Sequence, residues 1–82
     1  MASEVQPMNF SRALEHLKLG KKVARIGWNG KGMWIALMPA HAPTGMTRAF
    51  IFMKAVNNDT VPWVASQTDL LADDWVLVHN AG

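Results

Sequence analysis

Apolar residues first become periodic at Phe10. Phe10, Ala13, Leu14 and Leu17 fall at i, i+3, i+4 and i+7, the spacing of one helix face, while Arg12, Glu15, His16 and Lys18 take the other. Asn9 stands where an N-cap belongs, and Gly20 supplies a left-handed stop just past Lys18. His16, alone on the polar face, is expected at the surface. The period then changes to two. Lys21 to Trp28 predicts a strand with Ala24, Ile26 and Trp28 on one side and Val23 and Arg25 on the other. Asn29-Gly30-Lys31-Gly32 signals a hairpin turn, because Asn-Gly accepts the pair of positive φ values that a tight turn needs. Met33 to Met38 returns as a wholly apolar strand, and such a strand needs cover on both of its faces.

Pro39 to Ala49 carries two prolines and a glycine and predicts a loop, Phe50 to Val56 a third strand, and Asn57 to Thr60 a polar turn. Pro62-Trp63 forces an extended approach to a second helix. Ser66 is placed to cap that short helix, with Asp69 three residues on to complete a capping box and to face the positive helix end. Asp73 and Asp74 sit at the opposite, negative end, where carboxylates do not favour a helix. Trp75 to Val78 closes the chain as a short strand. The order helix-strand-strand-strand-helix-strand predicts an α+β fold, a small antiparallel sheet of about four strands with two helices. Residues 1–8 are expected as a flexible tail and 9–82 as a single domain.

Composition changes this picture in one respect. A chain of 82 residues buries only about 60% of its unfolded surface, and this one has no cysteine for disulfides and no Cys/His cluster for a structural metal. Yet half its residues are apolar, with four Trp, six Met and three Phe. Apolar area beyond the needs of so small a core points to a second subunit, so a homo-oligomer is expected. The net charge of +2 suits a small anion and falls short of the dense basic stripe that coats DNA or RNA. No apolar run reaches membrane-spanning length, and the first residues lack the apolar core of a signal peptide, so neither a membrane nor a secreted address is expected.

Catalytic constellations are thin. There is no thiol nucleophile, and the capping position of Ser66 explains it without catalysis. Asp69, Asp73 and Asp74 lack the His or further carboxylates that a metal site needs. Gly27 to Gly32 has neither the spacing nor the following helix of a P-loop. No catalysis and no cofactor are therefore expected. Binding chemistry is better represented. Trp28 stands beside a Gly-rich turn whose backbone N–H groups can reach a phosphate. Trp63 precedes a helix N-terminus, a natural anion site. With Asn29, Gln67 and Asp69 to read base edges or ribose hydroxyls, these are the parts of a nucleotide pocket. Trp34, inside a strand, is expected in the core or at an interface, and Trp75, flanked by apolar residues, in the core.

Asn9-Phe10-Ser11-x-Ala13-Leu14, Gly20-Lys21-Lys22-Val23-Ala24-Arg25, Gly27-Trp28-Asn29-Gly30-Lys31-Gly32-Met33-Trp34 and Val61-Pro62-Trp63-x-Ala65-Ser66-Gln67-Thr68-Asp69-Leu70-Leu71-Ala72-x-Asp74-Trp75 resemble the Thoeris anti-defense 2-like family of small phage and prophage proteins. The resemblance runs from Asn9 to Val78. It implies a non-enzymatic sponge in the cytoplasm of the infected bacterial host, one that sequesters a cyclic ADP-ribose isomer without degrading it. It also implies a homo-oligomer, typically a tetramer, with nucleotide pockets between subunits and, in some members, a separate site for cyclic di- or trinucleotides. Carried onto this chain, it makes Phe10, Trp28, Asn29, Trp63 and Gln67 pocket contacts, with Trp28 or Trp63 stacking adenine and Asp69 adding polar reading. Arg25 and Arg48 become candidates for the pyrophosphate, which suits the guanidinium fork. The chain departs from the family pattern between its second and third strands, where Pro39 to Arg48 is short and Ala49 replaces a common proline. The competing expectation is a phage accessory module that binds another protein through exposed tryptophans.

Overall fold

The computed structural model describes residues 6–28, 32–40, 45 and 47–79. Their elements run α1 (Phe10–Lys18), β1 (Lys22–Arg25), β2 (Trp34–Met38), β3 (Phe50–Lys54), β4 (Thr60–Pro62), α2 (Gln67–Leu71) and β5 (Trp75–Val78). The five strands form one antiparallel sheet in the order β4-β3-β2-β1-β5. The fold is thus α+β with two helices, and β4 brings the strand count from about four to five. Thr60–Pro62, expected as a turn and an approach to the second helix, pairs with β3 instead, Phe52 opposite Pro62 and Lys54 opposite Thr60. A proline without an N–H is tolerated there because β4 is an edge strand.

Local signals set the ends of α1. The Asn9 Oδ1 accepts from the Arg12 N–H at 3.0 Å. Past the helix, Gly20 adopts φ +89°, its N–H donating to the Leu17 carbonyl while that of Lys21 donates to His16. This 5→2, 6→1 pair is a Schellman stop. Ala13 and Leu17 are fully buried, and Phe10 and Leu14 pack beside them. His16 is half-buried, with its Nδ1 enclosed and without a hydrogen-bond partner among the described residues, so it is less exposed than its place on the polar face suggests.

Cross-strand partners share a face, so the register Leu77–Val23–Ile35–Met53 defines the side on which the core lies. Val23, Ile35 and Trp75 are fully buried there with Ala13 and Leu17. The strand expected to run to Trp28 ends at Arg25. Ile26 and Gly27 turn the chain, and the Trp28 N–H donates back to the Arg25 carbonyl at 3.2 Å. That turn carries Trp28 to the helix side, against Trp75, rather than to the side of Ala24. The opposite face carries Ala24, Trp34, Ala36, Phe52 and Val76, and among the described residues no helix lies on it. Met8, assigned from sequence to the tail, exchanges both backbone hydrogen bonds with Trp75 at 2.8 and 3.0 Å. The Asn29-Gly30-Lys31 turn lies outside the described residues.

Candidate functional site

Trp75 organises the site. Its indole is fully buried, and its Nε1 donates to the Asp69 carbonyl at 3.0 Å. Three rings contact it: Phe10 at 5.2 Å between centroids, and Trp28 and Trp63, edge-on, at 5.4 and 5.9 Å. Trp28 and Trp63 are each half-buried, so each keeps part of its surface for other contacts.

On the Trp28 side lies an ion-pair network. Arg25 Nη1 donates to Asp69 Oδ1 and Arg25 Nε to Asp74 Oδ1, each at 2.8 Å. Trp28 Nε1 reaches the same Asp69 oxygen at 3.3 Å, and the Gly27 N–H donates to Asp74 Oδ2 at 2.8 Å. Asp69 Oδ2 also accepts from the Ser66 N–H while Ser66 Oγ accepts from the Asp69 N–H, completing the capping box. Burial alone would raise the Asp69 carboxyl, but the hydrogen bonds from Arg25, Trp28 and Ser66 outweigh it and hold the group below the usual carboxylate range. Asp74 is lowered mainly by its hydrogen bond from Arg25, against a smaller opposing effect of burial. Arg25 is held above its ordinary value by the bonds to Asp74 and Asp69. Asp74 can reach Arg25 because α2 ends at Leu71 and the chain is extended at Ala72. The two carboxylates that read as misplaced at a helix end lie beyond it.

On the Trp63 side lies a groove of about 510 Å³ between the two helices and the ends of β2 and β3. Phe10 and Trp63, 5.9 Å apart, face it with Leu14, Phe50, Ile51 and Leu70, and every described residue lining it is apolar. Ala49 is among the lining residues, and Arg48, which precedes it, is exposed and does not line the groove.

The residues expected in one pocket are therefore divided. Phe10 and Trp63 share the groove; Arg25, Trp28 and Asp69 share the network across Trp75. Gln67, the first residue of α2, is exposed, and Asn29 lies outside the described residues. The anion expected at the α2 N-terminus is supplied by the chain itself, as the Asp69 carboxylate. Sequence reasoning missed Leu14, Phe50 and Leu70 as groove walls, and Asp74 as the second partner of Arg25. The Asp74 signal was present, in a carboxylate unfavourably placed for a helix end. Among the described residues, no group of three or more His, Cys, Asp or Glu side chains could hold a metal, and no helix is long and apolar enough to cross a membrane.

Residues 8–78 match the profile of the Thoeris anti-defense 2-like domain. The chain is also similar to the Thoeris anti-defense 2 protein of Bacillus phage SP01, with 39% identity over 84 residues covering 87% of this chain and 94% of that protein.

Proposed function

Because the chain belongs to the Thoeris anti-defense 2-like family, which gives it a phage anti-defence role, we propose that it acts by binding and holding a cyclic ADP-ribose-type immune signal without degrading it. The observation that carries this reading is the apolar groove lined by the Phe10 and Trp63 rings. Its volume of about 510 Å³ lies within the range of small-ligand sites. A purine offers flat apolar faces to such walls, and a pyrophosphate needs a cation outside them. Exposed Arg48, next in sequence to the lining residue Ala49, is the candidate for that cation. Arg25 does not in this conformation, since two carboxylates already share its guanidinium. Trp28 and Asp69 act on the groove from behind, by fixing Trp75 and α2. Among the described residues no nucleophile–base pair faces the groove, which favours sequestration over turnover.

A homo-oligomer, a tetramer by family resemblance, belongs to the same proposal. The helix-free sheet face, with Trp34 and Phe52 in edge contact at 5.7 Å, is the surface best suited to a second copy.

Thermal shift with cyclic ADP-ribose isomers and with cyclic di- and trinucleotides tests the reading. Ligand at 100 times its dissociation constant stabilises by about 2.7 kcal/mol, and after heat release it is expected intact. A chain unmoved by every one of these nucleotides would sink the sponge. That outcome would favour a protein-binding module. None of the four tryptophans expected to serve it is exposed, so its contacts would fall to apolar residues such as Val64, Leu71 and Leu19, at 86%, 77% and 71% exposed. Altered ligand after release would mean an enzyme.

A further inference from the structure

The geometry points to a second, independent site: the end of the β1–β5 pair remote from Arg25 binds a small phosphorylated molecule, a diphosphate or a phosphomonoester, through Lys21 and His79. A cavity of about 320 Å³ opens there, lined by Gly20, Lys21, Lys22, Leu77, Val78 and His79. Its volume is again that of a small-ligand site, and among the described residues no carboxylate lines it.

The backbone fixes this end. The Schellman stop at Gly20 sets the direction in which Lys21 leaves α1. The ladder pairs Lys22 with Val78, so Lys21 and His79 stand opposite one another one step beyond it, on the same face. The Lys21 ammonium and a ring N–H of His79 are two donors lining one cavity, and among the described residues no carboxylate lines it to accept from them. A phosphate oxygen supplies that acceptor, and its charge makes both hydrogen bonds strong. Lys22 faces the other side of the sheet, where its Nζ lies 4.3 Å from the centroid of the Trp34 ring. It is also among the residues that line the cavity, and its charge is not required. Leu77, on the same face as Lys21 and His79, gives the cavity an apolar side that suits the carbon part of an ester. The site is distinct from the Trp75 cluster: Arg25 pairs with Trp75 three residues further along β1, about 10 Å at the usual strand rise.

The test is an amide ¹H–¹⁵N NMR titration of the full chain with pyrophosphate, with glucose 6-phosphate and with glucose. The expected result is saturable shifts at Gly20 to Lys22 and Leu77 to His79 with at least one phosphorylated probe, and none with glucose. Pyrophosphate acting alone identifies a free diphosphate, and the sugar phosphate acting alone identifies an ester. The double variant Lys21→Ala/His79→Ala is expected to weaken binding by about tenfold or more, the scale of one lost charge-assisted hydrogen bond, while Arg12→Ala leaves it unchanged. If the double variant loses its dispersed spectrum, Lys21→Gln and His79→Gln are read singly, each expected to weaken binding. Shifts spread evenly over the surface lysines, no saturable shift at these six residues, or binding indifferent to the variants would each overturn the proposal. Because the probes carry no base, failure here leaves the groove reading untouched.

Discussion

At the scale of single residues, Arg25 decides more than any other side chain. It is 16% exposed, and its partners Asp69 and Asp74 are 14% and 30% exposed, so the two ion pairs are only partly screened by water. Removing Arg25 strands two carboxylates, and Arg25→Ala is expected to cost at or below the roughly 3–5 kcal/mol found when one member of a buried pair is lost. The pairs also fix a pH dependence. Both carboxyls are lowered in the folded chain, so their contribution is complete above the unfolded value of about 3.9 and is lost as pH falls through the folded values. Urea midpoints measured from about pH 5 down to about pH 2 are therefore expected to fall steeply, and less steeply in Asp69→Asn and Asp74→Asn. Equal slopes in all three proteins would remove the network from the account of stability. The two half-buried tryptophans that contact Trp75 separate in the same way. Trp63→Ala is expected to weaken nucleotide binding by roughly 1–3 kcal/mol, the worth of a base stacked on an aromatic ring, with the fold intact. Trp28→Ala is expected to reduce stability first, since Trp28 backs Trp75 and hydrogen-bonds Asp69. Lost affinity at unchanged stability in Trp28→Ala would move the base to that ring.

At the scale of elements, the parts legible in the sequence are those whose causes are local. The Asn9 and Ser66 caps and the Gly20 stop each involve residues within a turn of one another, and each is where the pattern places it. A consequence is that α2, only five residues long, depends on its cap. Ser66→Ala is expected to cost about 1 kcal/mol, read from denaturant midpoints, and to loosen Trp75 through the Asp69 carbonyl. A midpoint unchanged within error would mean that Asp69 holds α2 without the serine. What was not legible is non-local. Arg25 and Asp74 are 49 positions apart, and no period in either segment announces that they meet. β4 escaped notice because three residues ending in proline lack a readable alternation. The pocket residues grouped on motif density divided because Trp75, read only as core, stands between them.

At the scale of the whole molecule, the sheet is covered on one face by both helices and, among the described residues, left without a helix on the other. Trp34, Phe52, Ala36, Ala24 and Val76 give that second face its apolar character, which fits the expectation that a chain this small shares its surface. Light scattering at low micromolar concentration is expected to give a mass above that of the 9.1 kDa chain. Trp34→Glu, which places a charge on this face, is expected to shift the mass toward the monomer while leaving the helix-side core folded. A monomer mass for the unaltered protein would end the oligomer proposal, and an unaltered mass for Trp34→Glu would move the interface elsewhere.

The Trp75 cluster has an optical consequence. Trp28, Trp75 and Trp63 meet nearly edge-on, with interplanar angles of 81° and 87°, and Trp34 stands apart on the far face of the sheet. Indole chromophores this close mix their excited states, so three of the four tryptophans absorb as a coupled set whose circular dichroism depends on their mutual tilt. A ligand that turns Trp63 alters that couplet, and protonation of Asp69 alters it from the Trp28 side. The molecule thus carries a built-in spectroscopic gauge that reads the groove and the ion-pair network through one ring.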